Sequence, residues 1–276
     1  MSEPKILYIS DMDGTLLGKS AKLSSKSRES LNILIERGLN FSVATARLLD
    51  PVRQMLEGVD INVPVILMNG AVIYDLAEER YIKYNKIDTE VVASVINAAK
   101  THLITGFMYE LKDGELMTYH ETFPQAPPSD YVVNRIEKYK STQPTNGLSG
   151  VEHGSIIYFT FIDTQERLKT LHDSLDGLPG LNQTLYRNIY SENSFFLEVF
   201  SSETSKYNAV MFLREKYGYE MIVGFGDNHN DLPMFKACDV KIAVENATQE
   251  VKDSADYICA SNEDDGVVKW LEANFK

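Results

Sequence analysis

Asp11 and Asp13 stand one residue apart in the run ILYISDMDGTLL, directly after a short apolar segment, Ile6–Ser10, that reads as a buried parallel strand. Carboxylates so placed repel each other and must be neutralised. They can also divide nucleophilic and acid–base work. Three more polar sets fall at similar junctions: Thr45 and Arg47 after NFSV, Lys206 at the start of a predicted helix, and Gly226 to Asp231 (GDNHND) after MIVGF. Parallel α/β sheets bind ligands at the carboxyl ends of their strands, so residues scattered along the chain can meet there. Each fragment alone has a plain structural explanation: a solvated Asp-x-Asp-Gly turn, a surface lysine, helix-capping aspartates. A calcium loop beginning at Asp11 needs Gly sixth and Glu twelfth, where this chain has Leu16 and Lys22, so that explanation fails. Four such sets at successive junctions are hard to ascribe to coincidence.

The elements that must position these residues follow from periodicity. SSKSRESLNILIERG predicts a helix with Leu31, Leu34 and Ile35 on one face and a stop at Gly38. In DPVRQMLEG, Asp50 is a candidate N-cap and Pro51 the first helical residue. PVILMNGAVIYD predicts two strands around an Asn69-Gly70 turn. Strand, helix, strand, helix, strand favours a parallel sheet covered by helices. From about Tyr84 to Asn193 the order changes to a helix, hairpin-like strands, the Pro-rich stretch ETFPQAPPSD, a further helix, the strand SIIYFTFI, another helix and two strands. The α/β rhythm returns with a helix over Ser205–Lys216 closed by Gly218, the strands MIVGF and VKIAV, and a last helix near Trp270. The expected fold is α/β, a doubly wound, mainly parallel core (residues 1–84 and 195–276) interrupted by an inserted α+β domain (residues 85–194).

The chain has 276 residues, enough for one large or two smaller domains, with 43% hydrophobic and 24% charged residues. A net charge of −13 disfavours nucleic acid and anionic membranes as partners. The two cysteines, Cys238 and Cys259, lack metal-site spacing and are expected to be reduced thiols. MSEPKILYIS has no apolar signal core, and SIIYFTFI is too short to span a bilayer, so a soluble cytoplasmic protein is expected. The five histidines, His229 included, are read as structural or solvent-facing, and SIIYFTFI as core. The acidic NEDD near the end is read as a solvated face or a cap of the last helix.

The motifs DMDGTLL, VATAR, Lys206 in TSKYNAV and GFGDNHNDLPMF together resemble the haloacid dehalogenase-like phosphatases, and among them the Cof-type subgroup with a large inserted cap. The likeness covers nearly the whole chain, including MNGAVIYD and ADYICASNEDDGVVKWL. Family members often carry Gly where this chain has Ala46 and Tyr207, changes that narrow the approach to phosphate and remove no functional group.

The resemblance implies a Mg²⁺-dependent phosphatase of small phosphorylated metabolites, such as sugar phosphates. Mg²⁺ would be held by the carboxylates of Asp11 and Asp227 and the backbone carbonyl of Asp13. Asp11 is the implied nucleophile, forming an aspartyl-phosphate, and Asp13 the general acid, then base. Thr45, Lys206 and Asn230 are implied phosphate donors, with backbone N–H groups around Met12–Thr15. Asp231 is expected to orient Lys206 or a metal-bound water, and Arg47 to contact phosphate or the rest of the substrate. The insertion would act as a lid, with joints near Asn85 and Asn193 and with Tyr119, His120 and Arg187 as candidate substrate contacts. A phosphotransferase such as a phosphomutase uses the same motifs, and a non-catalytic metabolite sensor could keep the fold. A dehalogenase needs no acid for its leaving halide, which argues against it. The oligomeric state is open.

Overall fold

The computed structural model describes residues 4–121, 142–144, 148, 154–187 and 194–275. The chain forms two compact units, Met1–Tyr84 with Thr204–Lys276, and Asn85–Glu203.

The chain begins with β1 (Ile6–Ser10), α1 (Ser25–Glu36), β2 (Asn40–Val43), α2 (Leu49–Met55), β3 (Val65–Leu67), β4 (Val72–Asp75) and β5 (Arg80–Tyr84). The second unit contributes α3 (Thr89–Thr101), β6 (Gly106–Lys112), β7 (Glu115–Glu121), β8 (Thr142–Pro144), β9 (Ile156–Asp163), α4 (Gln165–Leu175), β10 (Leu181–Arg187) and β11 (Phe195–Ser201). The first unit resumes with α5 (Lys206–Tyr217), β12 (Met221–Gly226), α6 (Leu232–Ala237), β13 (Val240–Val244), α7 (Gln249–Ser254), β14 (Tyr257–Cys259) and α8 (Gly266–Asn274).

In the first unit five parallel strands lie in the order β14-β13-β12-β1-β2. From β1 the chain winds one way to β2, and after the insertion the other way through β12, β13 and β14. The strand order therefore reverses between β1 and β12, the place where open α/β sheets leave a crevice for ligand. Both strands are buried, with Leu7, Ile9, Ile222 and Phe225 fully enclosed, as expected of a parallel sheet covered on both faces. An antiparallel sheet, β3-β4-β5, adjoins β2 through the bridge Ala44–Ile66.

Local signals explain most element ends. Ser24 caps α1 by accepting from Ser27 N, and Gly38 closes the turn after it at φ 102°. Ser205 caps α5 by accepting from Asn208 N, and Gly218 ends it in the left-handed conformation. Asp50 is not the N-cap of α2. That helix starts at Leu49, with Leu48 as an N-cap that makes no side-chain bond, and Asp50 falls in the first turn.

In the second unit the sheet order is β10-β11-β9-β6-β7-β8, antiparallel except for β7–β8. Helices α3 and α4 pack Val92, Val95, Ile96, Leu168 and Leu171 against Met108, Phe159, Phe161, Leu197 and Val199 of the sheet. SIIYFTFI is thus core. The passage back to the first unit falls between Glu203 and Thr204 rather than after residue 194. The reason is register: Phe195–Ser201 pairs along its length with β10, and Phe195–Phe200 with β9, which ties this strand to the second unit. Residues 122–130 of ETFPQAPPSD, the helix expected after it, His153 and the joint at Asn193 lie outside the described residues. Among the described residues, no helix is long and apolar enough to cross a membrane.

Candidate active site

The reversal point of the parallel sheet gathers the polar sets. Asp11 follows β1 and continues its pairing, its N–H donating to Phe225 O at 2.9 Å. Its carboxylate is buried, 5% exposed, and Oδ1 accepts from Lys206 Nζ at 2.6 Å. Lys206 also donates to Asp231 Oδ1 at 2.7 Å, and both side chains are wholly enclosed. A lysine can sit so deep because it opens the buried stripe of α5, Lys206, Ala209, Val210 and Leu213. The hairpin turn Met68–Gly70 presses on the start of that helix: a β-carbon on Gly70, at φ 99°, would come within 2.3 Å of Ser205 O. Only glycine permits that approach.

Asp227 follows β12. Its Oδ1 accepts from the Thr15 hydroxyl at 2.8 Å. Gly14, at φ 80°, passes so close that a β-carbon would meet Asp227 Oδ2 at 2.5 Å. Asp231 holds the loop from within, its Oδ2 accepting from the N–H groups of Asp227 (2.9 Å) and Asn228 (3.1 Å). Oxygens of Asp11, Asp227 and Asp231 all lie within 4.8 Å of one another.

Charge is unbalanced here: three carboxylates face one ammonium. Burial pushes the Asp11 carboxyl well above the usual range, and Asp231 adds to this while Lys206 opposes it. Burial also raises Asp227, to about 6, against the lowering effect of the Thr15 hydrogen bond. For Lys206 burial disfavours the charge, yet Asp11 and Asp231 outweigh it and hold the ammonium above the ordinary lysine range.

The donor set suits a hard divalent cation. All its atoms are carboxylate oxygens, and two uncompensated negative charges are what such an ion removes. Asp11 and Asp227 each commit Oδ1 to a protein donor, which leaves Oδ2 to face a metal. Asp231 differs. Lys206 and two backbone N–H groups engage both of its oxygens, so it acts here as the holder of Lys206 and of the Asp227 loop.

The remaining expected residues fall in three places. Thr45 is buried and tied to β3 and the hairpin turn, its N–H donating to Ile66 O and its carbonyl accepting from Asn69 N. Its Oγ1 accepts from Arg47 N at 3.2 Å, so its own proton remains available to an anion. The Arg47 guanidinium reaches Asp13, Nε to Oδ2 and Nη2 to Oδ1, both at 2.6 Å. Asn230 is exposed in the turn His229–Asp231, and His229 faces solvent, paired with Glu250 at 2.9 Å. Within the Asp11 loop the N–H groups of Thr15, Leu16 and Leu17 all turn back to Met12 O. The Thr15 contact is the longest of the three, at 3.4 Å.

Sequence reasoning missed the residues that clamp this loop. Asn246 Nδ2 donates to Gly14 O (2.7 Å), Asn262 Nδ2 to Leu17 O (2.9 Å), and Asn246 Oδ1 accepts from Asn262 N (3.0 Å). Glu263 accepts from Lys19 N and Asp265 from the Ser27 hydroxyl. As expected, Glu263 and Asp264 of NEDD are exposed and Asp265 is the N-cap residue of α8, although its side chain makes no capping bond; Asn262 and Glu263 in addition anchor the segment after Asp11. An isolated Asn carries no periodic signal, so only tertiary contact exposes this.

In the second unit, Tyr119 donates its hydroxyl to buried Glu110 (2.8 Å), and the ring of His120 lies 6.4 Å from that of Phe107. Arg187 is exposed at the end of β10.

The profile of the haloacid dehalogenase-like hydrolases matches residues 8–271. The 5-amino-6-(5-phospho-D-ribitylamino)uracil phosphatase YwtE of Bacillus subtilis is 27% identical over 281 residues, 95% of each chain. The pyridoxal phosphate phosphatase YbhA of Escherichia coli is 22% identical over 268 residues, again 95% of each chain. A haloacid dehalogenase-like hydrolase from Bacteroides thetaiotaomicron superimposes with a TM-score of 0.81 at 25% identity, covering 98% of this chain and 100% of its own. The chain belongs to the haloacid dehalogenase-like hydrolases.

Proposed function

We propose that the chain is a Mg²⁺-dependent phosphatase of small phosphomonoesters, acting through an aspartyl-phosphate on Asp11. The observation that carries this reading is Lys206 bridging Asp11 and Asp231 in a buried site where carboxylates outnumber cations. Asp11 and Asp227, with the Asp13 carbonyl, would hold Mg²⁺. When bound, the ion offsets charge on these carboxylates and on the phosphoryl oxygens.

The chain's own groups then divide the work. An Asp11 carboxylate oxygen attacks phosphorus, the bond to the ester oxygen breaks, and the Asp13 carboxyl gives that oxygen its proton. Asp13, now a carboxylate, takes a proton from water as the water oxygen bonds to phosphorus. The aspartyl bond breaks, freeing Asp11 and inorganic phosphate. Lys206, the Thr45 hydroxyl and the Asn230 amide hold the phosphoryl oxygens throughout.

The natural substrate is a sugar phosphate or a related small metabolite. The relatives named above, which act on a phosphoribitylamino-uracil and on pyridoxal phosphate, support that size class. The net charge of −13 fits a cytoplasmic enzyme without nucleic-acid or membrane partners.

Acid quenching during turnover of a ³²P-labelled ester with Mg²⁺ should trap label on the protein. Asp11→Asn should abolish both label and phosphate release. Release near the wild-type rate from Asp11→Asn would overturn the mechanism.

A further inference from the structure

The Arg47 guanidinium grips both oxygens of Asp13 at 2.6 Å, in the parallel two-bond geometry that fixes a carboxylate's orientation as well as its charge. Its own backbone is held at both ends, with N–H donating to Thr45 Oγ1 (3.2 Å) and carbonyl accepting from Met68 N (3.1 Å). Met68 and Asn69 take left-handed φ values of 52° and 54°, so the turn that anchors Arg47 is tightly specified. Asp13 follows the β1 end by three residues and, unlike buried Asp11, is about half exposed, 49% for its side chain. Little packing restrains it. The guanidinium is what selects one rotamer.

We infer that Arg47 is a positioning residue for Asp13, and that its guanidinium is shared between Asp13 and the arriving phosphoryl group. In the paired state both Asp13 oxygens accept from the guanidinium and are turned toward Arg47 rather than toward a leaving oxygen. A phosphate dianion competes for the same planar donor set, because guanidinium matches phosphate and carboxylate equally well. Its arrival draws one arm of Arg47 away and frees one Asp13 oxygen, while the other arm keeps the carboxyl aimed. Release of Asp13 is thereby tied to occupation of the phosphate site.

This rests on the general-acid role of Asp13 proposed above, and leaving-group dependence separates the two claims. Expulsion of 4-nitrophenolate needs little acid assistance, whereas expulsion of an alkoxide from glycerol phosphate needs it. Turnover of both esters would be compared in wild type, Asp13→Asn, Arg47→Lys, Arg47→Ala and the double variant Asp13→Asn/Arg47→Ala, with thermal melting of each as the check on folding. Asp13→Asn should depress kcat for glycerol phosphate about 10²-fold or more relative to 4-nitrophenyl phosphate. Arg47→Ala should show the same selective loss, about tenfold or more, and little further selective loss in the Asp13→Asn background. Arg47→Lys keeps the charge without the fork and should keep KM nearer wild type while still showing the selective kcat loss for glycerol phosphate. An Arg47→Ala that loses kcat alike for both esters, or raises KM for both with no selective loss of kcat for glycerol phosphate, overturns the inference and leaves the acid role standing. If Asp13→Asn shows no leaving-group selectivity, the acid role fails and takes this inference with it.

Discussion

The Lys206 ammonium lies 2.7 Å from Asp231 Oδ1, and neither side chain touches solvent. The pair spans two structural elements, α5 and the turn after β12, and the second Asp231 oxygen orders the backbone of Asp227 and Asn228. An amide in place of Asp231 cannot serve both sides. If its oxygen faces Lys206, its NH₂ faces two N–H donors; turned round, it faces the ammonium. Asp231→Asn should therefore destabilise the protein by about 3 kcal/mol, the scale for removing one partner of a buried ion pair. Because it also frees the Asp227 loop, Mg²⁺ affinity should fall about tenfold or more. Urea unfolding and calorimetric titration with Mg²⁺ measure the two effects. Unchanged affinity would mean that Asp231 does not order the Asp227 loop.

Gly14 separates steric from conformational need. Alanine there must adopt φ 80° and place its β-carbon 2.5 Å from Asp227 Oδ2. A β-carbon on Gly38, at φ 102°, would meet nothing within 4 Å. Gly38→Ala should cost only the left-handed strain, about 1–2 kcal/mol, with turnover preserved. Gly14→Ala should cost at least as much, and should weaken Mg²⁺ binding and turnover by displacing Asp227. Equal turnover in the two variants would show that the close approach of Gly14 to Asp227 has no functional weight.

Much of this site was legible in the chain, and the illegible parts share a cause. Asp11 and Asp227 announce themselves because they follow strands whose apolar rhythm is unambiguous, and Lys206 because it opens a helix closed by Gly218. Strand ends in a parallel sheet are where a charge can be both fixed and reachable. Gly38 and Gly218 closed their helices as expected, since a left-handed C-terminal residue is a local requirement. The register of Phe195–Ser201 was not legible. A nearly continuous apolar run, FFLEVFS, suits either unit, and pairing partners decide. The clamps Asn246 and Asn262 were invisible for the same reason: their carbonyl partners, Gly14 and Leu17, lie more than 200 residues away. Pairing of Asp13 with Arg47 also depends on how a loop folds back, which spacing does not encode.

Metal binding should depend on pH with a definite sign. Without metal, burial raises the Asp227 carboxyl from 3.8 to about 6, and Asp11 is raised as well. The folded protein thus keeps protons that the unfolded chain releases near pH 4. Between about pH 4 and 6 the unfolded state binds fewer protons, so the contribution of these groups to apo stability declines as pH rises through 6. Mg²⁺ needs the ionised carboxylates and must displace those protons, so its affinity moves the other way, falling steeply below pH 6 and levelling above it. Melting curves from pH 4 to 8, with and without Mg²⁺, should show a stabilisation by the ion that is small at pH 5 and large at pH 7.5. Asp227→Asn removes one ionised ligand and its proton competition together, so its residual Mg²⁺ shift should be small and flatter across pH 6. A wild-type shift of equal size at pH 5 and 7.5 would mean that the ion is not held by the Asp11–Asp227 pair.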